Sequence, residues 1–494
     1  MNLEPQAVTN IRQVAVQRPA MNLVAALAAT LLGGWAVLEV GNAIAGSRHW
    51  LLWILLLALS LAIVLPIVLE GLHHRFDPFN LKNIFLFYIL MQFVVWPISA
   101  YTGIYDEEPF YVFHITFLSW RYSHFLAAEL YVLLGVLAFY AGYHLLGSEP
   151  IPPAPPSRNR SWRTGRAVSI SILLTVFSAV AFFELTEKEN GFYYFITHID
   201  AFRNTDLLGT GYLTAIISLA QLASLVMLCL HFETKKYRVA AYGVTLLAIA
   251  LSLLGASRHT TVAAVVAYLI VRNYLGKPLR FNLKTVSAIA VLWLLNVAYV
   301  YFRRFGVSTF EELGQITLGR ILFLIVPRFT GGESLARVVD ITGQTGFQGG
   351  YFILRDLMAS WVPRILWPAK PLSAGLVENT TFFPDAFIGG ETGAAVPTLI
   401  GELYWTAGIF GVLIGMFVLG VFFRRAYDLV RAKNKNAIGV YSLVYVFAFF
   451  VNESLSVHLV RFLFQVAVWQ AVMLIVRTRQ APEPSPAPDL GWAS

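Results

Sequence analysis

The sequence predicts an all-α polytopic membrane protein of about twelve transmembrane helices, and three observations carry that expectation. Of its 494 residues 57% are hydrophobic and only 13% charged, roughly half the charged share of a soluble globular chain, and the mean hydropathy is +0.65. Apolar runs of about 18 to 25 residues recur along nearly the whole length, each long enough to cross a hydrocarbon core of about 30 Å as a helix. Basic residues fall mainly in alternate connections between these runs, the asymmetry that insertion imposes on cytoplasmic loops.

The first run begins at Met21, after a polar stretch with Arg12 and Arg18. Ala28 to Gly46 extends beyond the apolar part of a secretory signal, so it reads as an uncleaved first span. The remaining spans are expected near 50–70, 83–104, 123–146, 167–187, 211–231, 239–256, 259–275, 285–303, 396–423, 437–457 and 462–476. With the amino terminus cytoplasmic, the even-numbered connections hold Arg75 and Lys82, Arg158 to Arg166, Lys235 to Arg238, Lys277 to Lys284, and Arg424 to Lys435. Together with both tails they hold more than half of the 36 basic residues, so both termini are expected in the cytoplasm. The formal charge of +8 is explained by this bias and does not point to nucleic acid. The single cysteine, Cys229, lies in an apolar run, which excludes an internal disulfide and a thiolate metal cluster.

Glu149 to Arg166 contains five prolines and reads as an extended linker. It separates a four-helix transmembrane region at 1–146 from the rest, as a cytoplasmic linker over 147–166. Central transmembrane helices follow over 167–303, an outward loop over 304–395, carboxyl-terminal transmembrane helices over 396–479, and a disordered cytoplasmic tail over 480–494. No internal repeat of the transporter kind is visible.

The outward loop is dense in cations despite facing the disfavoured side, with Arg320, Arg328, Arg337, Arg355, Arg364 and Lys370. Several border apolar patches, Ile321 to Val326 and Trp361 to Trp367, so re-entrant or interfacial helices are expected there. Guanidinium beside apolar surface suits a lipid whose head is a phosphate or diphosphate, which it grips through a planar fork. The competing reading is that these arginines pair with the loop's equally numerous acids or snorkel to headgroups. Arg258, in Gly255-Ala256-Ser257-Arg258-His259, sits at an outward turn that insertion bias does not explain. His259 is a candidate base, or a hydrogen-bonded interfacial residue. Glu402 falls near the start of a span containing Gly408, Gly411, Gly415 and Gly420, and needs either a cationic partner or a reaction to serve. Gly411 and Gly415 are expected to let another helix approach closely. Buried Asn452 and Glu453, then His458 and Arg461, pose the same question as Glu402 with less context.

The glycine-serine-arginine turn, the stretch Pro363 to Pro371 and Gly401-Glu402-Leu403-Tyr404, in that order, resemble bacterial oligosaccharide repeat-unit polymerases, the O-antigen or exopolysaccharide polymerases of Wzy type. The resemblance covers mainly residues 200–425, and Arg203 is similar to an outward arginine of that family. It implies a GT-C-like membrane glycosyltransferase of the bacterial inner membrane with its active site in the periplasm. Such an enzyme transfers a growing glycan from undecaprenyl diphosphate to a second lipid-linked repeat unit. A flippase acting upstream and a chain-length-regulating co-polymerase are the implied partners, besides membrane lipids. No cofactor and no metal is expected, since no aspartate-rich motif is present and cations of the chain would replace the divalent ion.

On this reading Arg258, Arg328, Arg337, Arg355, Arg364, Lys370 and Arg203 hold diphosphate, and Glu402 or His259 orients or deprotonates the acceptor. Tyr404, Trp361 and Trp367 are candidates for stacking on sugar rings, or else interfacial anchors. An O-antigen ligase acting on lipid A core, a flippase or transporter for the same lipid-linked sugar, and a scaffold for other glycan enzymes are the alternatives.

Overall fold

The structure is a computed structural model that describes residues 50–73, 77–101, 122–145, 162–188, 191–193, 195, 211–254, 258–276, 287, 331–359, 362, 366–367, 369–371, 377, 381–382, 398–431, 435–451 and 454–477. The described residues are helical throughout, apart from turns and an isolated bridge between Trp162 and Arg477. In chain order the helices are α1 (Trp50–Leu72), α2 (Leu81–Leu90), α3 (Trp96–Tyr101), α4 (Tyr122–Leu145), α5 (Thr164–Lys188), α6 (Gly211–Ile217) and α7 (Leu219–Thr234). They continue as α8 (Arg238–Leu254), α9 (Arg258–Leu275), α10 (Gly331–Thr345), α11 (Tyr351–Ala359), α12 (Leu399–Arg431), α13 (Lys435–Phe450) and α14 (Leu455–Val476).

Seven segments among the described residues are long and apolar enough to cross a membrane, and Arg238–Leu254, Thr261–Leu275 and Lys435–Phe449 are shorter apolar helices. These ten coincide with ten of the expected spans. The expected spans at 21–45 and 285–303 lie outside the described residues, apart from residue 287.

The bundle has two distinguishable ends. At one, the turn after α1 is a clasp: Tyr274 of α9 and Tyr427 of α12 both donate to Asp77 Oδ2 at 2.8 Å. Tyr441 and Tyr445 of α13 donate to the carbonyls of Phe79 and Pro78, and Tyr143 of α4 donates to Asn80 Oδ1. Buried Lys82 pairs with Glu70, and Lys435 with Glu233. Lys82, Lys235, Arg424, Lys435 and Arg477, from the connections that insertion predicts on one side, therefore gather at this Asp77 end. The opposite end, where α9, α12 and α14 begin, is named here for Glu402.

Helices approach closely where side chains are missing. The pairing of α4 with α12 is the most extensive in the fold. A Cβ on Gly142 would lie 2.1 Å from the Phe417 carbonyl, and one on Gly420 would lie 2.2 Å from that of Phe139. So the helices before and after the proline-rich linker pack directly on one another. Gly411 and Gly415 depart from expectation. Their missing side chains make room for Leu403 of the same helix, because α12 is broken at Ala407 and Gly408, the latter at φ 62° and ψ −145°. Glycine alone adopts that conformation without strain. α12 is thus a short Leu399–Thr406 piece that doubles against a long span.

Between α2 and α3, Met91–Val95 forms a π turn. Pro97 follows it and supplies no N–H for the regular register, which the wider turn accommodates.

Candidate functional site

The break in α12 shapes the Glu402 end. A broken helix leaves carbonyls without partners, and here those of Trp405 and Thr406 accept the backbone N–H groups of Gln348 and Gly349, each at 2.9 Å. Those donors lie between α10 and α11, so the break fixes both segments of the predicted outward loop on the bundle. α10 packs on α4 and α12, and α11 on α14. Trp405 strengthens the junction, stacked on Phe352 of α11 at 4.6 Å and edge-on to Phe382. Gln348, Phe352, Glu402, Trp405 and Thr406 line a shallow hollow of about 200 Å³ including its open mouth.

Glu402 is 1% exposed, and two helix N-termini account for its burial. It lies in the first turn of α12, after Thr398, whose Oγ1 accepts the Gly401 N–H at 3.2 Å. Its Oε2 accepts the N–H groups of Leu455 and Ser456 at 2.6 and 3.0 Å, opening α14. Its Oε1 accepts the hydroxyls of Ser454 and Ser456. Orphan amide donors and the positive ends of two helix dipoles surround the carboxylate. The geometry makes it a fastener between α12 and α14.

The structure places the nominated cations unevenly. Arg355 pairs with buried Asp356 at 3.3 Å and stacks 4.7 Å from the centre of Phe352, so the pairing alternative raised from sequence applies to it. The Lys370 ammonium donates to the Val362 carbonyl at 3.0 Å, tying that stretch to itself. Arg337 lies on α10 one turn from Glu333, whose carboxyl is pushed up to about 8 by burial, against the pull of Arg337. Arg258 and His259 open α9, where the helix dipole disfavours a cation and backbone amides favour an anion. Arg203, Arg328, Trp361 and Arg364 lie outside the described residues. Tyr404 stacks on Tyr131 of α4 at 5.0 Å, which occupies one face of its ring, and Trp367 is 40% exposed. Arg355, Glu402 and Tyr404 are thus brought to one junction.

A second hollow received little weight in the sequence. His458, Arg461 and Gln465 of α14 line it with Gln221 of α7, beside Phe447 and Phe462, around about 290 Å³ including its mouth. The signal was present: His458, Arg461 and Gln465 stand at i, i+3 and i+7 on one face of an otherwise apolar helix.

Comparison with known proteins gives a family match over residues 53–452, to the O-antigen polymerase family. That range takes in helices before residue 200, beyond the stretch carrying the resemblance. No curated protein and no solved structure matches the chain.

Proposed function

The chain belongs to the O-antigen polymerase family, and from that premise we propose that it joins undecaprenyl-diphosphate-linked repeat units by glycosyl transfer at the periplasmic face of the bacterial inner membrane. The match over 53–452 carries this reading. The seven apolar segments and the gathering of basic residues at the Asp77 end support the orientation, with that end and both termini in the cytoplasm. Twelve spans would then cross the membrane, and the Glu402 end would face outward.

In the reaction, an acceptor sugar hydroxyl attacks the anomeric carbon of the donor glycan. The bond to diphosphate breaks, its electron pair leaves with the diphosphate, and the hydroxyl proton passes to a base. Cations at the Glu402 end stabilise the departing charge. Arg258 is the first of these, with Arg203, Arg328, Arg337 and Arg364; Arg355 and Lys370, engaged with chain atoms, contribute field and shape. His259, next to Arg258, takes the base role. Glu402 is a positioning residue on this reading, because four donors already occupy its oxygens. Trp361, Trp367 and Tyr404 remain the candidates for stacking on sugar rings.

Single replacement of Arg258, Arg364 or Glu402 in cells that depend on the protein tests this. The expected outcome is a glycan ladder collapsed towards single repeat units at normal protein levels. Normal ladders for all three would overturn the site assignment. Accumulation of long chains on the lipid carrier would instead identify a ligase.

A further inference from the structure

Arg461 lies six residues into α14 and three residues into the apolar segment His458–Val476, about 4.5 Å from that segment's start at 1.5 Å per residue. No carboxylate pairs with it among the described residues. An arginine at such depth is costly to insert and needs a matching anion or dipole. Among the described residues no anion supplies that match.

The surroundings describe what would. His458 stands one turn nearer the Glu402 end, Gln465 one turn deeper, and Gln221 reaches in from α7. The Gln221 amide also donates to Ser252 Oγ at 3.3 Å, and these side chains gather N–H groups at a single place. Phe447, Phe462 and Ala263 line the rest, so the same crevice meets a polar head and a hydrocarbon stem.

We infer that the crevice between α7, α9, α13 and α14 binds the phosphate-bearing head of a polyprenyl carrier, with Arg461 as its anion ligand and His458 and Gln465 as flanking donors. The chemistry recognised is a lipid-borne phosphate or diphosphate. The choice of a polyprenyl lipid rests on the polymerase reading. Binding here would hold the acceptor's carrier, whose bond to diphosphate does not break, within the membrane while its sugars extend towards the Glu402 end.

Full-length protein in phosphate-free maltoside micelles allows the test. Binding of undecaprenyl diphosphate, phosphatidylglycerol and inorganic pyrophosphate would be measured for the natural protein, Arg461→Gln and Arg461→Lys. Undecaprenyl diphosphate is expected to bind tightest, at least tenfold more weakly to Arg461→Gln, with partial recovery in Arg461→Lys. Unchanged binding by Arg461→Gln overturns the inference. Equal affinity for phosphatidylglycerol overturns the carrier assignment, and equal affinity for pyrophosphate overturns the requirement for a lipid.

A photoactivatable diphosphate lipid on the natural protein gives an answer independent of the variants' folding. Labelling on α13 or α14 beside Arg461 supports the site, and labelling confined elsewhere overturns it. Chain extension in the same preparation separates the two readings. Natural protein that binds through Arg461 but never extends a repeat unit refutes the polymerase. Natural protein that extends, with Arg461→Gln binding equally well, refutes only this site.

Discussion

A carboxyl group withdrawn from water on a helix too short and polar to count among the membrane-crossing segments becomes a pH-dependent element of stability, and Glu333 of α10 is placed to be one. Its Oε1 is buried without a hydrogen-bond partner among the described residues, and burial lifts its titration from an ordinary 4.5 to about 8. Near neutral pH it is protonated in the folded protein and ionised in the unfolded chain. Below about 4.5 both states hold the proton and the group costs nothing. As pH rises from there to about 8, the unfolded state gains relative stability, so the contribution is lost over that window. Thermal unfolding between pH 4.5 and 8.5 should therefore fall more steeply for the natural protein than for Glu333→Gln. Parallel curves would mean that the carboxyl is hydrated. At this scale the sequence revealed which residues were unusual without revealing their partners. Glu402 stood out as a carboxylate in a span, but its four donors lie more than fifty residues further along the chain, where no local pattern announces them.

Among elements, α4 and α12 depend on missing side chains. Gly420→Ala would push a methyl against the Phe139 carbonyl, both backbone-bound and unable to yield. It should destabilise the detergent-solubilised protein by on the order of 1–3 kcal/mol. Gly243→Ala on α8, with nothing within 4 Å of the added atom, should be neutral or slightly stabilising because alanine favours the helix. Comparable melting losses for both would show that helix approach is not the cause. Spans were legible because lipid demands about twenty apolar residues in succession, and ten expected spans coincide with observed helices. The glycine pairing was not. Gly411 and Gly415 have the spacing of a helix-packing stripe, yet a break four residues earlier turns them towards Leu403, and sequence periodicity assumes an unbroken helix.

At the scale of the molecule, the Asp77 clasp joins helices separated by up to several hundred residues. Tyrosines from α9 and α12 share one carboxylate oxygen, and Phe79 N–H donates to the other at 3.0 Å. Asp77→Ala should lower the unfolding temperature by more than Tyr274→Phe or Tyr427→Phe alone, since each tyrosine change removes one bond and the aspartate change removes all three. The double tyrosine variant should approach Asp77→Ala. Strict additivity of the two tyrosine losses, with Asp77→Ala no worse than either, would mean that the shared oxygen is not a junction. Charge alternation foretold that basic residues would collect on one side, but a clasp assembled from Asp77, Tyr274, Tyr427 and Tyr441 is a long-range closure with no signature in any single segment.

The seam where Gln348 and Gly349 meet the interrupted α12 is written entirely in main-chain atoms. It is therefore indifferent to the side chain at 348, whereas Gly349, at φ 59°, would be strained by any residue that carries a Cβ. What it cannot absorb is a proline, which has no amide hydrogen to give, or a change in spacing that carries the donors out of register. A protein built this way can alter the side chains around the seam while the seam stays anchored to the helices beneath.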